Sequence, residues 1–153
     1  MTRDASAAAA ASEHPVHPMY PMTAAQMGAA LGGLSEQAVL ERERAGTLFS
    51  VRRPGRATTR EYPAFQAWSG VVGVALTRVL QTLAPLSATD RYGFFAASND
   101  LLGGLTPIEA LTGTCTWDRL PDAEAQLLLA AATHERLHAV LGAAQALVAL
   151  RAV

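Results

Sequence analysis

The sequence is poor in the residues that define several large classes of protein. A single cysteine, Cys115, excludes an intramolecular disulfide framework and an all-cysteine zinc cluster. No stretch reaches 18 consecutive apolar residues, and residues 5–11 are alanine and serine rather than the leucine-rich core of a signal peptide. We therefore expect a cytoplasmic protein that has no membrane partner.

Lysine is absent, and all 12 basic residues are arginine. Aromatic residues make up only 6% of the chain, and β-branched runs are few, which disfavours a β-sandwich. The net charge of −1 excludes a protein that binds nucleic acid through an overall positive charge. Hydrophobic residues are plentiful at 50%, and 32 of the 153 residues are alanine. Because alanine, leucine and arginine are strong helix formers, we predict a mainly α fold with a buried core.

Residues 1–22 are predicted to form a flexible Ala/Pro-rich tail. An alanine run is followed by His-Pro and Tyr-Pro pairs that show no helical periodicity, and proline favours extended backbone. The two histidines of this tail, His14 and His17, lack the fixed geometry that a metal site requires.

The front segment, residues 23–66, predicts a small winged helix-turn-helix. Thr23 and Gln26 have the spacing of a capping box, and Ser35 can cap a second helix that runs to about Ala45. A Pro-Gly turn at Pro54 then joins two short alternating stretches, which is typical of a β-hairpin.

The back segment, residues 67–153, predicts an all-helical domain for partner binding or dimerisation. The clearest start signal is Thr106-Pro107-Ile108-Glu109, with Thr at the N-cap, Pro at N1 and Glu at N3. A long final helix over about 122–150 is expected to bury Leu127 among others. The other predicted helices cover 68–83, a stretch from Ser87 to about Ser98, and a short stretch that ends by Gly113.

Charge is divided between the two segments. The front carries six arginines against four acids, net +2, and the back carries five arginines against seven acids, net −2. Four arginines crowd the hairpin, where phosphate contacts would form, although a solvated hairpin with charged edges would have the same composition. Three glutamates on the second helix (Glu36, Glu41 and Glu43) weaken the expected attraction to operator DNA. The candidate DNA-binding residues are Ser35, Gln37, Arg42, Arg44, Arg52, Arg53, Arg56 and Arg60.

The run from Asn99 to Gly113 (NDLLGGLTPIEALTG) resembles the signature of the Xre/MbcA/ParS-type antitoxin toxin-binding domain. That signature has an Asn, a Leu-Gly-Gly turn, then Thr-Pro, a hydrophobic residue, an acid and a closing Gly. The front segment, from Leu34-Ser35 through Ala45-Gly46-Thr47-Leu48 to Tyr62-Pro63-Ala64-Phe65-Gln66, resembles small bacterial helix-turn-helix proteins that precede such a domain. Two features depart from the family pattern. The typical Leu-Gly-Leu-Ser turn is one residue longer here, Leu31-Gly32-Gly33-Leu34-Ser35, and the tryptophan expected before Leu-Gly-Gly is absent.

The resemblance implies a type II antitoxin that binds and neutralises a cognate toxin enzyme and represses its own operon, with a homodimer as the expected assembly. It also implies that the C-terminal segment carries Arg151 toward the toxin. Several leucines near the C-terminus give the last helix more apolar surface than a small domain buries alone, which also favours a partner. The candidate toxin-binding residues are Gly103, Gly104, Leu105, Thr106, Pro107 and Arg151.

Three other functions are consistent with parts of the sequence. The chain could be a stand-alone DNA-binding transcription regulator whose helical back only dimerises, or an adaptor for an unknown partner. His134-Glu135-Arg136-Leu137-His138 matches the zinc-hydrolase pattern H-E-x-x-H, but no His, Asp, Glu or Cys after His138 can supply a third ligand. Cys115 has no evident base partner, and no phosphate-binding glycine motif occurs. We predict no catalytic residue, no metal site and no cofactor.

Overall fold

The structure, a computed structural model, describes residues 16–115 and 119–153, except for the side chains of residues 56–58. Within these ranges the chain is mainly helical with a small antiparallel sheet, which confirms the predicted class. The strands are β1 (Pro21–Met22), β2 (Val51–Arg53) and β3 (Arg56–Pro63). The α-helices are α1 (Ala24–Ala30), α2 (Glu36–Arg44), α3 (Val74–Thr82), α4 (Ala88–Ala96), α5 (Pro107–Thr112), α6 (Ala123–Ala130) and α7 (Thr133–Arg151). Short 3₁₀ helices cover Ala64–Ala67 and Asp100–Leu102.

The helix starts that were predicted from capping residues are confirmed. Thr23 and Gln26 form a reciprocal capping box at α1, and the Ser35 hydroxyl accepts a hydrogen bond from the Ala38 N–H (3.1 Å) at α2. Thr106 and Glu109 form a second capping box at α5. These hydrogen bonds satisfy backbone N–H groups that the first turn of a helix leaves unpaired.

The predicted tail is wrong from residue 16 onward, because this stretch is built into the fold. β1 pairs with β3 in the strand order β1-β3-β2, so the hairpin gains a third strand. The Phe65 N–H donates to the carbonyl of Pro18 (2.8 Å), and Met19 is buried. Proline-rich extended backbone suits an edge strand, where a missing N–H costs no ladder hydrogen bond. His14 and the rest of residues 1–15 lie outside the described residues.

Two predicted helices have different boundaries. The helix expected over 68–83 begins only at Val74, because Gly70 (φ 85°) and Gly73 (φ 95°) adopt left-handed backbone that ends regular helix. The helix expected over 122–150 is two helices, α6 and α7, separated by extended backbone at residues 131–132. The Arg136 guanidinium donates to the carbonyls of Leu129 (3.4 Å) and Ala131 (3.2 Å) and so caps the end of α6.

The front and back segments share one hydrophobic core. Phe49 and Phe65 from the front pack on Phe95 of α4, with ring centroids 5.7 and 4.7 Å away respectively. Helix α7 packs against α3 and α5, and its buried residues Val140, Leu141, Ala143 and Ala144 belong to the same core. Leu127, which was expected to be buried, is 76% exposed because α6 turns only Ala125 fully inward. No helix of the described ranges is both long enough and apolar enough to cross a membrane.

Candidate nucleic-acid and partner-binding surfaces

Glu43, in the last turn of α2, joins that helix to the hairpin. Its carboxylate accepts hydrogen bonds from the Ser50 hydroxyl (2.7 Å), the Arg60 guanidinium (2.9 Å) and the Tyr62 hydroxyl (2.6 Å). Burial by itself raises the pKa of Glu43, but the hydrogen bonds from Ser50, Tyr62 and Arg60 outweigh it and hold the pKa below its ordinary value. Burial, followed by the hydrogen bond to Glu43, raises the pKa of Tyr62 to about 12.

This cluster changes the charge that the front segment presents. Glu43 was counted among three acids opposing DNA, yet its charge faces Arg60 and the hairpin rather than solvent. Only Glu36 and Glu41 remain as exposed carboxylates on α2. Arg60 in turn is held by Glu43, so it is an anchor of the hairpin as well as a predicted phosphate contact.

The remaining predicted DNA-binding residues fall into two groups. Some are engaged locally: Arg53 lies 3.0 Å from the Glu61 carboxylate, and Gln37 donates to Glu41 at 3.4 Å. Three are exposed and have no ion pair with any described residue: Arg42, Arg44 and Arg52. Ser35 is the N-cap of α2, and the side chain of Arg56 lies outside what the structure describes.

The Asn99–Gly113 signature folds as a closed turn followed by α5. The side-chain oxygen of Asn99 accepts a hydrogen bond from the Leu101 N–H (2.9 Å). Its backbone carbonyl accepts one from the Gly104 N–H (3.0 Å). Gly103 adopts φ 65°, and a Cβ there would lie 3.0 Å from the backbone nitrogen of Ala125 at the start of α6. Glycine is required at Gly103 both by conformation and by this close approach.

The signature residues act mostly as scaffold in this conformation. Leu105 and Pro107 are buried, so their side chains offer no surface to a partner. Gly103, Gly104 and Thr106 are partly exposed, and Thr106 is used as the N-cap of α5. Glu109 is buried beside Arg119, at 3.4 Å from its Nη2 atom, and the same nitrogen donates to the carbonyl of Gly104 (3.0 Å).

The end of α7 presents the apolar surface expected near the C-terminus. Leu150 is 71% exposed and Val153 is fully exposed, while Leu147 and Val148 are partly buried. Arg151 is exposed on the same turn, and its Nη2 lies 3.4 Å from the Asp90 carboxylate. We call Leu147, Val148, Leu150, Arg151 and Val153 the C-terminal face. Leu141, two turns earlier on α7, is buried in the core and is not part of this face.

The zinc-hydrolase pattern is exposed on α7. His134, Glu135 and His138 all face solvent, and the described part of the chain holds no group of three or more His, Cys, Asp or Glu that could bind a metal ion. Burial, followed by the neighbouring Glu109, raises the pKa of the Cys115 thiol. A raised pKa disfavours the thiolate form that a nucleophile requires.

Gln66 has a structural role that the sequence pattern did not reveal. Gln66, the last residue of the Tyr-Pro-Ala-x-Gln run, is fully buried. Its side chain accepts a hydrogen bond from the Phe49 N–H (2.8 Å) and donates one to the Phe49 carbonyl (2.9 Å), as a neighbouring strand would.

No family model, curated protein or solved structure matches this chain.

Proposed function

We propose that the chain is the antitoxin of a type II toxin–antitoxin system. In this proposal the back segment binds and neutralises a toxin enzyme in the cytoplasm, the protein is a homodimer, and the front segment, as a winged helix-turn-helix, represses the operon. The observation that carries the proposal is the exposed apolar end of α7, in a chain whose Asn99–Gly113 run folds as a capped turn and helix. A helix end that exposes apolar side chains suits a segment that docks on another protein.

The energetics favour a docking role for the C-terminal face. Burying a leucine or valine side chain in an interface contributes about 1.5–3 kcal/mol, and Leu150 and Val153 contribute little of this within the chain. Arg151 and Asp90 form a pair on the surface, which is worth about 0–1 kcal/mol. Arg151 can therefore exchange Asp90 for a partner carboxylate at small cost.

The test is coexpression of the full chain with the product of the adjacent gene. We expect growth rescue and copurification, and we expect Leu150→Ser to weaken copurification while leaving thermal stability unchanged. The matched control is Val74→Ser, which removes an equally exposed apolar side chain at the start of α3. Equal complex formation by the chain with Ser at 150 and the chain with Ser at 74 would contradict a role for the C-terminal face.

A stand-alone DNA-binding transcription regulator is the second candidate function. It is favoured by Arg42, Arg44 and Arg52, which are exposed on the helix–helix–hairpin unit without ion pairs to described residues. Arginines that contact phosphate weaken binding to all sequences when removed and lower its salt dependence. Mobility-shift assays should show this loss for Arg52→Ala, a smaller loss for the Glu61-paired Arg53→Ala, and none for Arg78→Ala on α3. DNA binding and repression without any copurifying partner would favour the regulator over the antitoxin.

A further inference from the structure

A cleft of about 540 Å³ opens at the seam between the front and back segments. One wall is formed by the hairpin and the end of α2, and the other by the end of α3 and the start of α4. Among the side chains that the structure describes, three arginines line the cleft (Arg52, Arg60 and Arg91), against one carboxylate, that of Glu43. Apolar groups complete the lining: Leu48, Phe49, Leu80, Ala84 and Ala88.

Two of these arginines are held in place by the fold. Arg60 is fixed by its hydrogen bond to Glu43 (2.9 Å). Arg91 donates through Nε to the carbonyl of Leu83 (3.3 Å) and through Nη2 to that of Ala84 (3.0 Å), so it caps the end of α3. A guanidinium has five N–H donors, and these bonds use only some of them. The cleft therefore offers prepositioned donors that need little further ordering to bind an acceptor.

The cleft also carries an excess of positive charge. Glu43 compensates Arg60, whereas Arg52 and Arg91 have no carboxylate partner among the described residues. Thr89, the second residue of α4, exposes its hydroxyl side chain at the rim. Guanidinium groups bind phosphate oxygens in a bidentate manner that neutral donors do not match.

We propose that this arginine cleft binds a small organic molecule through a phosphate group. The volume lies within the range of about 300–1,000 Å³ that is typical of small-molecule sites and exceeds what a phosphate group alone would fill. The apolar lining suits the organic part of such a ligand. A DNA backbone is a less suitable occupant, because five of the twelve lining residues come from the back segment, on and between α3 and α4, rather than from the predicted DNA-binding front. The proposal goes beyond the antitoxin function and does not depend on it.

Isothermal titration calorimetry on the full chain tests the proposal with ADP as the probe and inorganic phosphate and a short DNA duplex as the comparisons. We expect saturable binding of one ADP per chain, tighter than inorganic phosphate. Arg52→Gln should weaken it about tenfold, the value of one charge-assisted contact. The matched control is Arg78→Gln, which removes the same charge from an exposed position on α3 outside the cleft and should leave the affinity unchanged.

A second variant separates loss of binding from loss of folding. Thr89→Glu adds a negative charge at the cleft rim, yet an acid near the start of α4 is favourable to the helix. We expect this chain to melt at or above the parent temperature and to lose ADP binding. The proposal is overturned if ADP shows no saturable binding, if Arg52→Gln and Thr89→Glu bind as the control does, or if only the DNA duplex binds.

Discussion

Replacing Gln66 by methionine should destabilise the protein far more than its modest change in volume implies. Gln66 lies in the 3₁₀ helix that follows β3, and its side chain is fully buried. It forms hydrogen bonds with both the N–H and the carbonyl of Phe49, 17 residues earlier. Methionine fills similar space but neither donates to the carbonyl nor accepts from the N–H. The Phe49 N–H and carbonyl would then be buried without partners.

The magnitude follows from these two groups. Each buried backbone group left unpaired costs about 1–3 kcal/mol, and the apolar methionine offsets about 1–2 kcal/mol through better burial. We expect a net loss of about 1–4 kcal/mol, a large share of the roughly 5–15 kcal/mol by which domains of this size are stable.

Urea unfolding followed by far-UV circular dichroism measures this loss. The control is Gln81→Met, the same change at an exposed position on α3, which should alter the free energy of unfolding by less than about 0.5 kcal/mol. A loss below about 1 kcal/mol for Gln66→Met would refute the argument, since it would mean that Phe49 finds other hydrogen-bond partners or water.

Three further predictions concern pH and backbone conformation. Because hydrogen bonds hold the pKa of Glu43 below its ordinary value, its stabilising contribution should be complete at neutral pH and lost as the pH falls through the ordinary pKa of a glutamate to the lower pKa of the folded chain; Glu43→Gln should flatten the acid limb of the urea midpoint, and an unchanged limb would contradict this contribution. The pKa of Tyr62, about 12 against 10.0, predicts stability that is complete below pH 10 and lost as pH rises toward 12; Tyr62→Phe should flatten that alkaline loss, and equal losses in both chains would contradict the assignment. Gly103→Ala should cost about 1–2 kcal/mol or more from left-handed backbone and contact with α6, whereas Gly142→Ala within α7, where a Cβ meets nothing, should be neutral or stabilise by up to about 1 kcal/mol; similar melting temperatures for the two would exclude the strain.

Residue type alone predicted only part of the candidate DNA-binding surface. From residue type alone, Arg60 was predicted to favour contact with DNA and Glu43 to oppose it. In the folded chain they neutralise each other across 17 residues, together with Tyr62. Residue type indicates a charge but not the direction in which the side chain points, and that direction depends on how the hairpin packs on α2.

Local signals by themselves determined where helices begin. Thr23, Ser35 and Thr106 start α1, α2 and α5 as predicted, because a cap hydrogen bond joins residues only three positions apart. The tertiary structure alone decided that residues 16–22 extend the sheet and that α6 and α7 are separate helices. It also decided that the boundary at residue 66 runs through a shared aromatic core. These outcomes rest on contacts between distant parts of the chain, whose free energy outweighs the weak local preference of an alanine-rich sequence for continuous helix.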